Sequence, residues 1–303
     1  MELGDLTVRR GARSGTRSLD TMAKPFISVG ELADALSGPT PPAVLDASLV
    51  LHPAAFDGDY RLDGGRERWL AGHIPGSQYV DVSTQFSDHS AKLHYTHPEP
   101  QAIADELARL GIEKGRAVVI YDSTGTMFAA RLWYLLRWIG VPATVLDGGF
   151  AAWTTAGERV ETGESEAPEP VASWPAEPVR RAWVSKQELT ERSTDDARPL
   201  VCGLPAGSFT GTDPTRYTRR GRIPGSVNVS ARDLFSKDGH VKTRVELILA
   251  YDAAGIDVAE GSDDEIACNG DRAESDGRAR RPALHMCGVP AGAIAEIITA
   301  SVI

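Results

Sequence analysis

The chain has 303 residues, 42% apolar and 24% charged, which is enough for two globular domains of ordinary size. Its net charge of −10 argues against nucleic-acid binding, and no apolar run approaches the length of a membrane span. Three cysteines, Cys202, Cys268 and Cys287, are too few and too odd in number for a disulfide framework, and no His/Cys cluster has zinc-ligand spacing.

Residues 1–23 carry Arg9, Arg10, Arg13 and Arg17 with no apolar h-region behind them. They read as a disordered extension rather than a secretory signal, and a reducing cytoplasm is the expected home. Phe26 and Ile27 then form a short strand running into a helix, opened by a capping box of Ser28 and Glu31. The same device recurs far downstream, where Trp183 and Val184 precede Ser185 and Glu188. Two such openings suggest an internal repeat.

The repeat extends through the chain. Residues 71–77 read AGHIPGS and residues 220–226 read RGRIPGS, each with a Pro-Gly turn followed by a strand-like stretch. A helix is predicted over 98–110, with Ile103, Leu107 and Leu110 at helical spacing, and another over 243–255, with Val245, Leu247 and Leu249. Gly111-Ile112 and Gly255-Ile256 close them, glycine suiting the C-terminal cap. Buried strands are predicted at 117–121 and 265–267, and Gly140-Val141-Pro142-Ala143 matches Gly288-Val289-Pro290-Ala291. Between the copies, residues 161–182 hold Pro168, Pro170, Pro175 and Pro178 among glutamates, the composition of an extended linker. Strands alternating with helices imply α/β domains, each a mostly parallel sheet covered on both faces. The expected layout is an N-terminal domain over 24–160, the linker, and a C-terminal domain over 183–303.

Ligands of such folds bind beyond the carboxyl ends of strands. Cys268 falls there in the second copy, at the start of CNGDRAES, on a loop leading toward a helix. Backbone N–H groups and a helix N-terminus favour negative charge, so a thiol there is poised to become a thiolate. Cys202, on a predicted strand, and Cys287, at a predicted helix end, read as buried structural thiols.

Two α/β copies, the IPGS turns, VLDGGFAAW at 145–153 and a strand-end cysteine in the second copy alone resemble the tandem-domain rhodanese family, over roughly residues 24–291. That resemblance implies two rhodanese-like domains, each a mostly parallel central sheet flanked by helices. It implies a non-catalytic first domain, with Asp122 where the second has its cysteine. It also implies sulfur transfer through a Cys268 persulfide, from a small anionic donor such as thiosulfate or 3-mercaptopyruvate to a thiol or cyanide, with no metal or organic cofactor. Nucleic acid and membrane are not among the expected partners. Asn269 and Gly270 would cradle the persulfide through their N–H groups. Arg272, Arg216, Arg220 and Arg222 are candidates to hold the donor. The family's arginine before the aromatic of its F-x-G segment is replaced here by Ser208. Phosphatases of related architecture need an arginine six residues after the cysteine, and Glu274 stands there, which excludes phosphate chemistry.

The chain departs from the family after the cysteine. Gly277, Arg278, Arg280, Arg281 and Pro282 stand where the first copy has the apolar helix 127–140, and nothing matches Asp147 through Trp153. Two readings account for this, a reading-frame change around 271–281 and again near the end or a true degenerate variant, and the conflict between composition and required burial favours the first; in either, Asp271 and Glu274 would oppose a thiolate. The second domain is therefore expected to be the weaker half. A catalytically silent rhodanese-like binding module is the alternative to an enzyme.

Overall fold

The computed structural model describes residues 24–91, 94–192, 199–256 and 284–285. The first half runs β1 (Phe26–Ile27), α1 (Val29–Leu36), β2 (Ala43–Asp46), β3 (Leu49–Leu51), β4 (Leu62–Gly64), α2 (Arg66–Ala71), β5 (Gln78–Tyr79), α3 (Pro100–Arg109), β6 (Val118–Tyr121), α4 (Met127–Trp138), β7 (Ala143–Leu146) and α5 (Gly149–Thr155). Five strands form one sheet in the order β1-β7-β6-β2-β5, every pairing parallel, and β3 and β4 form a separate antiparallel pair. The buried run Val118-Val119-Ile120-Tyr121 makes β6 the central strand, because a strand covered on both faces must be apolar throughout.

The local signals work as physical chemistry requires. At the N-cap of α1, Ser28 accepts from the Glu31 N–H, and the Glu31 carboxylate accepts from the Ser28 N–H at 2.9 Å. In the IPGS turn, Ser77 is buried and takes the Trp69 indole N–H at 3.2 Å, while its hydroxyl meets Tyr121 at 3.0 Å. The turn thus ties β5 to the middle of the sheet. Two consecutive glycines are required in VLDGGF: Gly149 has φ of 56°, and a Cβ there would lie 2.4 Å from the Asp122 carbonyl oxygen.

The second half runs α6 (Lys186–Thr190), β8 (Leu200–Cys202), α7 (Ala206–Thr210), β9 (Ser226–Asn228), a 3-10 turn over Ala231–Leu234, α8 (Arg244–Asp252) and β10 (Leu284–His285). Its parallel sheet has the order β10-β8-β9. The Ser185–Glu188 capping box is formed, and Thr243 with Glu246 makes another at α8. The predicted face of α8 needs correction. Leu247 and Tyr251 are buried, whereas Val245 and Leu249 are 66% and 60% exposed. Positions two apart lie on different sides of a helix, and the buried pair is four apart.

Residues 161–182 lie without regular structure against the first half. The Glu161 and His73 backbones bridge, and Val171 and Val179 donate to the Ala108 and Trp138 carbonyls, each at 2.9 Å. One apolar core contains residues of both halves, including Leu45, Ile120 and Trp133 from the first and Val201, Leu234, Leu247 and Tyr251 from the second. Among the described residues no helix is long and apolar enough to cross a membrane.

Candidate active site

The loop leaving β6 is built around Asp122, which is almost fully buried. One carboxylate oxygen accepts the N–H groups of Thr124 at 2.9 Å and Thr126 at 2.8 Å, and the other those of Phe128 at 3.0 Å and Ala129 at 2.9 Å. Thr126 is the N-cap of α4, in the left-handed region, and its own side chain caps nothing. Asp122 does the capping from outside the helix. Burial pushes its carboxyl up while the four amides pull it down. All four partners are donors, so the ionised form is the one the loop satisfies. The loop after the central strand is therefore an amide cage for one negative charge.

Beneath it lies a polar network with no motif to announce it. Asp46, at the end of β2, accepts the Ser48 N–H at 2.8 Å, and the Ser48 hydroxyl oxygen takes the Ser123 N–H at 2.9 Å. Burial pushes Asp46 up to about 6; hydrogen bonds from Ser48 and Tyr121 oppose this, and the charge of Asp122 adds to it. The apolar run of β2 shows only that Asp46 ends a strand; its partners are Ser48, just past that strand, and Tyr121 and Asp122 at the end of β6.

The repeat can be followed into the second half by register. The Val80 N–H donates to the Asp46 carbonyl as the Val229 N–H donates to that of Cys202, so Cys202 is the counterpart of Asp46. Beside β2 runs β6, with Leu45 opposite Ile120 and Asp46 opposite Tyr121. Beside β8 runs β10, with Leu200 opposite Leu284 and Val201 opposite His285. The slot that the repeat assigned to residues 265–267 is thus taken by residues 284–285. Residues 265–267 and 288–291 themselves lie outside the described residues.

Of the predicted site residues, Cys268, Asn269, Gly270 and Arg272 lie outside the described residues, as does Cys287. The three described arginines are not equivalent. Arg220 is paired with Asp57, its Nε 2.7 Å from the carboxylate, which holds Asp57 below the usual range. Arg222 lies over the Phe209 ring at 4.4 Å. Arg216 is half-buried and donates through Nε to the His52 carbonyl of the first half at 2.9 Å. Ser208 is on α7, and Cys202 is buried in β8. Among the described residues no group of three His, Cys, Asp or Glu side chains could hold a metal ion.

This arrangement has known relatives. The 3-mercaptopyruvate sulfurtransferase of Escherichia coli is 30% identical over 193 residues, covering 63% of this chain and 67% of that one. The thiosulfate sulfurtransferase of Gallus gallus is 29% identical over 204 residues, covering 64% and 68%. The chain belongs to the rhodanese family. The model of the rhodanese-like domain matches residues 30–156. The crystal structure of the rhodanese-fold SseA from Escherichia coli superposes with a TM-score of 0.64 at 28% identity, over 77% of this chain and 85% of that one. In this rhodanese, the matched residues 30–156 hold the Asp122 cage and the DGGF turn that closes over it.

Proposed function

We propose that this rhodanese is a sulfurtransferase in which residues 24–160 serve as scaffold and residues 183–303 carry the reactive cysteine. The carrying observation is the amide cage at Asp122, a backbone arrangement that stabilises one negative charge at the end of a central strand. With a cysteine in that position the same geometry stabilises a thiolate. The thiolate attacks the sulfane sulfur of a donor such as thiosulfate or 3-mercaptopyruvate. A sulfur–sulfur bond to the enzyme forms, and the donor's bond to that sulfur breaks with its electron pair leaving on the remainder. Cyanide or a thiol then takes the outer sulfur and restores the thiolate. A reducing compartment such as the cytoplasm keeps the cysteine in the thiol form.

Cys268 is the carrier read from the repeat and its loop, with Asn269, Gly270 and Arg272 around it and Arg216 on the donor. The strand register favours a second reading. His285 occupies the place of Ile120, so counting on by two residues brings Cys287 to the place of Asp122. Intact-mass measurement after incubation with thiosulfate separates the readings. A gain of about 32 Da, lost on adding cyanide, marks a persulfide. With Cys268 as carrier, Cys268→Ser abolishes the gain and Cys287→Ser leaves it; with Cys287 the pattern reverses. No gain in the wild type leaves a silent binding module.

A further inference from the structure

One arginine of α4 is completely buried. Arg131 is 0% exposed and makes a single hydrogen bond, from Nη2 to the Tyr95 carbonyl at 2.7 Å. Its Nε and Nη1 are buried without a hydrogen-bond partner among the described residues. The guanidinium carbon lies 5.0 Å from the centre of the Trp183 ring, and the Trp183 Nε1 is likewise buried and unpartnered. We propose that Arg131 and Trp183 form a buried site for one small monovalent anion of halide size. The site is separate from the sulfur-transfer chemistry proposed above and does not depend on it.

The arginines of the first half are paired in the reverse of the order that burial demands. Arg61, Arg66 and Arg109 are each more than half exposed, where water solvates the charge, and each has a carboxylate, from Asp59, Glu164 and Glu106. Arg131 has none among the described residues. A guanidinium taken out of water without a counter-charge is costly, and an anion on its free N–H groups offsets that cost. Burial pushes the Arg131 pKa down to about 9, and the influences that oppose the shift are the phenols of Tyr134 and Tyr95. These are uncharged near neutral pH, where Arg131 is still a cation.

The walls of the site come from three segments. Arg131, Tyr134 and Trp138 share one face of α4, at helical spacings of three and four. Tyr95 and His97 approach that face from the loop before α3, and Trp183 from the end of the linker. Trp183 meets Tyr134 edge-on at 5.0 Å, and His97 stacks on Trp183 at 4.6 Å and stands edge-on to Trp138 at 4.8 Å. Within these rings Nε and Nη1 of Arg131 and Nε1 of Trp183 are all donors, so their complement is an acceptor, and beside a cation a charged one binds best. Full burial of Arg131 selects an ion of one heavy atom over a sulfate or a carboxylate. Such an ion fastens the start of the second half to α4.

Bromide is the probe. Crystals of the full chain grown without halide and soaked in bromide should show an anomalous peak within hydrogen-bond distance of Arg131 and of the Trp183 Nε1. In solution, bromide replacing gluconate at constant ionic strength should raise the melting temperature, because the ion binds the native state alone. Trp183→Phe keeps a ring beside Arg131 and removes the N–H, so it should need about ten-fold more bromide for the same rise. Water on the Arg131 nitrogens, or bromide found only on the surface, overturns the site. So does a melting temperature equal in bromide and gluconate, or a Trp183→Phe variant that responds to bromide as the wild type does.

Discussion

Asp46 is where burial acts most visibly on a single charge. Its folded-state value of about 6 lies above the ordinary 3.8. The native protein therefore holds a proton that the unfolded chain has lost between about pH 4 and 6, and stability falls as pH rises through that window. A shift of this size corresponds to about 3 kcal/mol at most. Asp46→Asn removes this contribution. Urea midpoints at pH 4.5 and 7 should differ less in the variant than in the wild type, and an unchanged slope would mean that Asp46 does not titrate there. The family resemblance pointed to Asp122 as an acid standing where a cysteine is expected, but its amide cage had no signal in the sequence. Asp46 was not legible, because its significance comes from what β6 brings beside it.

At the level of elements, capping signals translated directly into structure because they are local. Ser28, Glu31, Ser185 and Glu188 sit within four residues of the groups they satisfy. The core face of α8 was not legible in the same way. Val245, Leu247 and Leu249 are all apolar, and only packing into the shared core decides which of them is buried. Leu247→Ala should cost about 2–5 kcal/mol, as expected for a filled core position. Leu249→Ala, on the exposed side, should stay within about 0.5 kcal/mol. Urea midpoints of the two variants test this, and similar losses would show that the outer side of α8 is covered in solution. Strand order beyond α8 was the least legible feature. Residues 265–267, Glu-Ile-Ala, and 284–285, Leu-His, are both short and mixed, and strand pairing has no local signature that decides between them.

At the scale of the whole molecule the halves are unequal partners in one core. The first encloses β6 between β2 and β7 and covers it with α4, whose Leu132, Trp133, Leu135 and Leu136 are all buried. The second has three described strands, and its edge strand β10 is only two residues long. Between them runs a seam in which Asp147 takes the Val241 N–H at 2.8 Å and meets His240 at 3.1 Å, and the rings of Phe26 and Phe235 cross at 6.4 Å. Opening the second half exposes its side of this seam but leaves the five-stranded sheet intact. Such a partial opening has a lower free energy than global unfolding. Native-state hydrogen exchange should therefore show the amides of 118–121 protected to the global limit and those of 200–202 exchanging earlier, in a shared step with 247–251. Equal protection of all three segments would make the chain a single cooperative unit, and the inequality of the halves would then lie in size rather than in stability.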